Sequence, residues 1–243
     1  MALQLASGRR HARGGAIYRL PGAPGLDRVS RPCLVLLGGS FDPVHNAHVA
    51  LGSYFARLLV PDELRIIPAG NPWQKDPLNA SAADRVAMLR LAFDRQPVPV
   101  VIDEQEIQRQ NGSYTIDTLR AVRAEAGPQA SIAFVMGADQ LLHLNTWHEW
   151  RTLFDLAHIC AASRPGFDMA SLPPDVAREF SRRAAPAAQL RETPHGLTFL
   201  ALNLAVDVSA TEIRSLLAQG ERPQELLPAS VLDYIEQHNL YKT

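Results

Sequence analysis

The sequence has few cysteines, no long apolar run and almost no net charge, and each shortage excludes a class of protein. Its 243 residues include two cysteines, Cys33 and Cys160, neither in a Cys-x-x-Cys spacing, which predicts reduced core residues rather than a disulfide scaffold. No apolar stretch approaches the ~20 residues that span a bilayer. Lysine and arginine (24) nearly balance aspartate and glutamate (25), which argues against bulk nucleic-acid binding. We therefore expect a cytoplasmic globular protein with no membrane or nucleic-acid partner.

The near-neutral sum conceals an arginine-rich leader. Residues 1–31 hold six arginines and one acidic residue, Asp27, so they carry +5 while residues 32–243 carry −6. The leader is rich in Gly, Ala and Pro and lacks the apolar centre of a secretory signal. We predict a disordered extension or an over-called start at 1–31, with an organellar transit peptide as the alternative, and a single domain at 32–243.

From residue 32 onward, short apolar runs alternate with segments of helical periodicity. The runs predict strands at Cys33–Leu37, Leu64–Pro68, Val98–Ile102, Ser131–Met136, His158–Ala162 and Leu197–Leu202. The periodic segments predict helices at Ala47–Leu59, Ala82–Phe93, Thr115–Ala126, Trp150–Leu156, Ala210–Gln219 and Ala229–His238. This repetition predicts an α/β fold, a doubly wound parallel sheet with helices on both faces.

Three finer features accompany this pattern. Ser81 precedes a helix as an N-cap residue, and Ser209-Ala-Thr-Glu212 matches the capping box. The Ala-, Pro- and Arg-rich stretch Gly166–Pro194 interrupts the alternation. We predict that it is a surface insertion without a core of its own, with a short helix near Val176–Arg183.

The loop after the first predicted strand carries the densest group of chemically useful residues. It reads Gly38-Gly39-Ser40-Phe41-Asp42-Pro43-Val44-His45-Asn46-Ala47-His48, which fits neither the dinucleotide-binding Gly-x-Gly-x-x-Gly nor the P-loop spacing. Glycines let a backbone approach a phosphate, and the helix N-terminus beyond them offers free N–H groups. His45 and His48, three apart, should share one face of that helix. They predict a donor pair above an anion site; a metal site and two structural histidines are the alternatives.

This stretch, Gly39 to His48, resembles the nucleotidyltransferase signature Gly-[Thr/Ser]-Phe-Asp-Pro-x-His-x-Gly-His, with Ala47 where the family has Gly. Further segments narrow the resemblance to the bacterial nicotinate mononucleotide adenylyltransferases: Pro68–Lys75, Gly112–Leu119, Gly137–Asp139, Trp147–Trp150, Ser163–Gly166 and Val208–Arg214. Together they extend over essentially all of residues 33–240. The resemblance implies a Rossmann-like nucleotidyltransferase fold in a single domain.

The resemblance also implies a reaction and a set of site residues. The reaction is adenylyl transfer from ATP to nicotinate mononucleotide, giving deamido-NAD and pyrophosphate in NAD biosynthesis, with Mg²⁺ accompanying ATP. His45 and His48 are the implied catalytic residues. The implied ATP-binding residues are Gly39, Ser40, Phe41, Gly137, Asp139, Ser209, Thr211 and Arg214. The implied mononucleotide-binding residues are Asn71, Lys75, Tyr114, Thr115, Trp147 and Arg164, and no protein-held metal site is implied.

Several points stay open at the level of sequence. A sibling transferase acting on nicotinamide mononucleotide or phosphopantetheine would share much of the pattern, although Gly-Ser-Tyr-Thr and Trp-His-Glu-Trp disfavour phosphopantetheine. A non-catalytic nucleotide sensor is the hypothesis from another class, but such a protein is expected to lose His45, His48 or Arg214. Trp150 is expected in the core and Asp42 is expected to fix its turn. The sequence does not give the oligomeric state, and a homo-oligomer is one possibility.

Overall fold

Six parallel strands form one sheet in a computed structural model that describes residues 31–70, 78–109, 112–164, 166–202, 204 and 208–242. The strands are β1 (Cys33–Gly39), β2 (Glu63–Pro68), β3 (Val100–Ile102), β4 (Ser131–Gly137), β5 (His158–Ala162) and β6 (Thr198–Ala201). Their order across the sheet is β3-β2-β1-β4-β5-β6, and every pairing is parallel. The predicted doubly wound parallel sheet is confirmed.

Eight α-helices of the described residues cover the two faces of this sheet. They are α1 (Asn46–Leu59), α2 (Ala82–Ala92), α3 (Thr115–Ala126), α4 (Leu153–Leu156), α5 (Pro174–Arg182), α6 (Ala187–Glu192), α7 (Ala210–Ala218) and α8 (Ala229–Gln237). A 3-10 helix over Ala138–Thr146 follows β4. No helix among these residues is long and apolar enough to cross a membrane.

Strand β1 shows why the sequence reads as continuous apolar runs. Its side chains alternate between two buried clusters, with Val35 and Leu37 in one and Leu34 and Leu36 in the other. A strand buried on both faces needs apolar residues at every position, not at every second one. The strand order runs outward from β1 in one direction and from β4 in the other, so the carboxyl ends of this pair form the switch point where ligands bind in such sheets.

The predicted elements are confirmed with small shifts at their ends. The largest shift is in the helix predicted at Trp150–Leu156, where a 3-10 helix over Trp150–Thr152 precedes α4. The prediction that Gly166–Pro194 is a surface insertion was wrong, because part of the stretch packs into the core. The stretch has no core of its own, but it contains α5 and α6 and buries Val176, Phe180 and Leu190 in the two main clusters. Its Ala- and Arg-rich composition concealed these few apolar contacts, which make it part of the domain.

The two predicted helix caps differ in outcome. The Ser81 hydroxyl accepts a hydrogen bond from the Asp84 N–H at 3.1 Å, as predicted. Ser209 occupies the N-cap position of α7, but its side chain makes no capping hydrogen bond, so the capping-box prediction was wrong. The spacing of Ser209 and Glu212 predicted where the helix begins, but it did not predict the direction of the Ser209 hydroxyl. Arg31 to Thr243 form one compact unit, and the leader up to residue 30 lies outside the described residues.

Candidate active site

A cavity of 1140 Å³ opens at the carboxyl ends of β1 and β4. Every predicted site residue that the structure describes lines it: Gly39, Ser40, Phe41, His45, His48, Tyr114, Thr115, Gly137, Asp139, Trp147, Arg164, Ser209, Thr211 and Arg214. The other two, Asn71 and Lys75, lie outside the described residues. Pockets for one small ligand typically measure about 300–1,000 Å³, so this cavity has room for two.

Residues 38–46, here named the signature loop, run from the last two residues of β1 to the first residue of α1. Phe41 turns the chain with a positive φ of 49° and is buried beneath the loop. A Cβ at Gly39 would lie 3.0 Å from the Phe41 ring, so glycine is what lets the ring pack there. The Phe41 ring in turn meets the His48 ring edge to face, with centroids 4.8 Å apart. The loop therefore supports one of the two histidines directly.

His45 and His48 lie together on the first turn of α1, as their spacing predicts. Their rings are stacked with centroids 3.7 Å apart, and the His45 backbone N–H donates to His48 Nδ1 at 3.3 Å. With Nδ1 accepting, a neutral His48 carries its hydrogen on Nε2. Burial lowers the pKa of His45 to about 4, so this ring is neutral at pH 7. Its Nδ1 finds no hydrogen-bond partner among the described residues.

His158 shows what a structural histidine looks like in this chain. It is fully buried, its Nδ1 accepts from the Leu197 N–H at 3.1 Å, and its Nε2 lies 3.0 Å from the Thr193 carbonyl. Both ring nitrogens of His158 are therefore used, whereas His45 keeps hydrogen-bonding capacity at the wall of the cavity. The contrast favours a ligand-binding role for the His45–His48 pair over a purely structural one.

Asp42 holds the signature loop through partners that are distant in sequence. Its buried carboxylate accepts from the Asn79 N–H at 2.7 Å, the Ala80 N–H at 3.0 Å and the Tyr241 hydroxyl at 2.7 Å. Burial alone would raise the pKa of Asp42, but these hydrogen bonds outweigh it and keep the pKa below its usual value. Asp42 therefore stays ionised and fixes the turn, as expected, although by tertiary rather than local contacts.

Two arginines bind carbonyl groups of the signature loop. Arg214 on α7 donates to the Asp42 carbonyl at 2.7 Å and to the Thr211 hydroxyl at 3.3 Å, and it lines the cavity. Arg85 on α2, only 2% exposed, donates to the Ser40 carbonyl at 2.8 Å. Burial lowers the pKa of Arg85. Sequence reasoning missed Arg85, since a single arginine inside an amphipathic helix ordinarily faces solvent.

The opposite wall of the cavity is aromatic. Tyr114 is the N-cap residue of α3, and the His148 ring lies 4.9 Å from its ring. Trp147 lines the cavity and meets Phe134 edge to face at 6.4 Å. Trp150 is 6% exposed and belongs to the core, which confirms the expectation for that residue. This wall offers flat apolar surface beside the N-terminus of α3, which suits a ring that carries a negative substituent.

A half-buried carboxyl group beneath this wall was also missed. Glu106 lines the cavity, and its carboxylate accepts from the Thr118 hydroxyl at 2.6 Å. Arg109 donates to the same hydroxyl at 2.9 Å, and burial raises the pKa of Glu106. The Ser113 hydroxyl donates to the Glu106 carbonyl at 3.3 Å. The group holds the segment before Tyr114 in place, and its only sequence signal was acidic and basic residues in a loop, which are usually solvated.

Comparisons with known proteins agree with this geometry. Residues 36–216 match the model of the cytidylyltransferase-like family. The chain is 66% identical over 213 residues, 87% of its length and 97% of the relative's, to a protein of Herminiimonas arsenicoxydans described as "Probable nicotinate-nucleotide adenylyltransferase". A Laribacter hongkongensis protein of the same description is 45% identical over 214 residues, 88% of this chain and 96% of the relative.

A solved structure shares the fold at low sequence identity. It is the Plasmodium falciparum nicotinic acid mononucleotide adenylyltransferase complexed with NaAD, with a TM-score of 0.68, 17% identity, and coverage of 87% of this chain and 98% of that one. The match supports the fold, and the bacterial relatives support the family. The chain belongs to the cytidylyltransferase-like family and, within it, to the nicotinate-nucleotide adenylyltransferases.

Proposed function

We propose that the protein transfers the adenylyl group of ATP to nicotinate mononucleotide, releasing pyrophosphate and forming deamido-NAD in NAD biosynthesis. The observation that carries the proposal is one continuous cavity with two different walls. The His45–His48 pair and Arg214 line the side that suits a triphosphate, and Tyr114 and Trp147 line the side that suits a pyridine ring. Two substrates bound on these walls would meet at the carboxyl end of β1.

The reaction asks for positioning and charge stabilisation rather than a strong base. An oxygen of the mononucleotide 5′-phosphate bonds to the α-phosphorus of ATP, and the bond from that phosphorus to the bridging oxygen of the β-phosphate breaks. The attacking phosphate is already an anion, so no proton has to be removed from it. In this proposal His45 and His48 donate to the triphosphate, and Arg214 stabilises the charge that develops on the leaving pyrophosphate.

The remaining site residues bind and orient the two nucleotides. For ATP they are Gly39, Ser40, Phe41, Gly137, Asp139, Ser209 and Thr211, and for the mononucleotide they are Asn71, Lys75, Tyr114, Thr115, Trp147 and Arg164. Trp147 stacks on the pyridine ring, and the first N–H groups of α3 donate hydrogen bonds to the nicotinate carboxylate. A Cβ at Gly137 would lie 2.5 Å from Asp139 Oδ1, so only glycine at 137 leaves room for that carboxylate in its present position at the cavity wall.

The donors present fit Mg²⁺ that arrives with ATP. No group of three or more His, Cys, Asp or Glu in the described part of the chain is placed to hold a metal ion. Mg²⁺ in nucleotide sites typically uses one or two carboxylates, substrate phosphates and waters, and Asp139 supplies one carboxylate at the cavity wall. When bound, the ion neutralises part of the triphosphate charge. We also propose that the protein is cytoplasmic and binds neither nucleic acid nor membrane. The proposal holds for a monomer and for a homo-oligomer.

A pyrophosphate-release assay with a panel of acceptors tests the function. The purified chain is given ATP and Mg²⁺ with nicotinate mononucleotide, nicotinamide mononucleotide or phosphopantetheine. We expect the highest kcat/KM with nicotinate mononucleotide. Equal rates with the amide would refute the acid specificity, and nucleotide binding without turnover of any acceptor would favour a sensor. A His48→Ala control should lose turnover at an unchanged melting temperature, whereas loss of the fold would favour structural histidines.

A further inference from the structure

The C-terminal segment, residues 222–242, contacts the signature loop at two positions, Asp42 and Asn46. The Asn46 N–H donates to the Leu226 carbonyl at 3.0 Å, and the Asn46 side-chain amide donates to the Glu225 carbonyl at 2.9 Å. The Tyr241 hydroxyl donates to Asp42 Oδ1 at 2.7 Å across 199 positions of sequence. Nothing in the proposed reaction uses these residues directly, and Tyr241 is not among the described residues that line the cavity.

Tyr241 is placed for a hydrogen bond rather than for packing alone. It adopts a φ of +62°, in the left-handed region that a tyrosine rarely occupies, so the surrounding contacts must hold it there. Burial and the charge of Asp42 raise the pKa of its hydroxyl, which therefore stays protonated and able to donate at pH 7. The hydroxyl provides one of the donors on which the buried Asp42 charge depends.

The backbone of Asp42 connects the Tyr241 hydrogen bond to residues that line the cavity. Its carbonyl oxygen accepts from Arg214 Nη1 at 2.7 Å, and its chain continues within three residues to His45. If the Asp42 carboxylate loses the Tyr241 hydrogen bond, the turn can rotate, and the carbonyl that orients Arg214 rotates with it. Group transfer depends on alignment, and a displacement of about 1 Å can lower a rate by about 100-fold.

We propose that Tyr241 is a positioning residue for adenylyl transfer: its hydroxyl orients the Asp42 peptide, and Asp42 orients Arg214 toward the phosphates that react. The role rests on the proposed function, and it deepens that function by adding a residue from the far end of the chain. It predicts an effect on kcat more than on KM, because the contact aligns groups for the transition state without touching either substrate.

Tyr234 provides a matched control. It lies on α8 in the same segment, and its hydroxyl donates to Asp84 Oδ1 at 3.0 Å. Asp84 belongs to the first turn of α2 and does not line the cavity. Tyr234→Phe and Tyr241→Phe therefore each delete one hydroxyl bound to a carboxylate, and they differ in whether that carboxylate belongs to the signature loop. Because the Asp42 contact is the more buried of the two, any difference in stability between the variants is measured separately from kcat.

The test measures kcat, both KM values and the melting temperature of the full chain. We expect Tyr241→Phe to lower kcat about tenfold with each KM changed less than about threefold, and Tyr234→Phe to stay within twofold of wild type. In an Arg214→Gln background, Tyr241→Phe should have less than a threefold further effect, since the two residues act through one link. A kcat of Tyr241→Phe within twofold of wild type, equal losses in both tyrosine variants, or a full tenfold effect without Arg214 would overturn the role.

Three further measurements keep the test decisive. If Tyr241→Phe does not fold, para-fluorophenylalanine at 241 fills the hydroxyl volume without donating, and para-aminophenylalanine fills it and donates; equal kcat values for these two would overturn the role. Wild-type turnover of nicotinate mononucleotide is measured first, and its absence would refute the proposed function alone. The link is then observed by NMR of the Arg214 side-chain Nε–H, which should shift in Tyr241→Phe and not in Tyr234→Phe.

Discussion

Binding of ATP should bring a proton onto His45. In the free protein, burial lowers the pKa of this imidazole from 6.5 to about 4, and the ring is only 6% exposed. A polyanion placed against the ring favours its charged form and raises the pKa again. The complex then binds more protons than the free protein between pH 4 and 6.5, so affinity for ATP should increase as the pH falls through this range.

The size of the effect follows from the shift. If the bound triphosphate restores an ordinary pKa of 6.5, a displacement of about 2.5 units from the value of about 4 corresponds to about 3 kcal/mol of differential interaction. At pH 5.5 the ring would pass from about 3% to about 90% protonated, an uptake of about 0.9 proton per ATP. The affinity for ATP should then be about tenfold higher at pH 5.5 than at pH 7.5.

Calorimetry separates this proton from those of ATP itself. Binding of ATP without the second substrate is measured at pH 5.5 in two buffers of different ionisation enthalpy, for wild type and His45→Asn. Protons taken up by the triphosphate are common to both proteins, so the difference between them reports His45. A difference of about 0.9 proton is expected, and equal uptake by both proteins would refute the reasoning. The variant's melting temperature is measured to show that it is folded.

Three further predictions concern the rest of the chain. Burial lowers the pKa of His158 to about 4, so the unfolded chain binds more protons than the folded protein below pH 6.5. The free energy of unfolding, measured in urea, should therefore fall by about 2 kcal/mol from this group between pH 7 and pH 5. The decrease should be smaller in His158→Gln. Leu190→Ala should lower the free energy of unfolding by about 2–5 kcal/mol, because Leu190 is fully buried. Leu202→Ala, at a position that is 67% exposed, should change it little. Equal changes in the two variants would place residues 166–194 outside the core. Deleting residues 1–30 should leave kcat/KM unchanged, since every described residue that lines the cavity lies at position 37 or later.

The strands were predictable because burial on both faces leaves a local signal. In β1, five consecutive buried residues begin at Cys33, and such runs recur at the spacing that parallel strands and their helices require. The proximity of His45 and His48 was equally predictable from the sequence, since residues three apart on a helix share a face. Both features depend on neighbours in sequence, which a single sequence contains in full.

The missed parts of the site depend on contacts between distant segments. Asp42 was expected to fix its own turn, but its partners lie 37, 38 and 199 positions away. Arg85 reads as a solvated helix residue, and only the fold shows its guanidinium beneath the Ser40 carbonyl. The Ser209 capping box failed for a related reason: its spacing defines the backbone of a helix start, while the direction of the hydroxyl depends on tertiary surroundings.

Arg85 also explains how an acidic domain can bind two polyanions. Its charge is buried next to the signature loop, where solvent screens it poorly, and it interacts with Asp42, while Arg214 lines the cavity wall. Two substitutions separate the charge of Arg85 from its hydrogen bond to the Ser40 carbonyl. Arg85→Lys keeps the charge and Arg85→Met removes it, and neither reproduces the guanidinium geometry. If the charge attracts the triphosphate, KM for ATP should rise about tenfold in Arg85→Met and clearly less in Arg85→Lys, with KM for the mononucleotide affected less in both. Equal increases in the two variants would mean that Arg85 acts only by holding the loop.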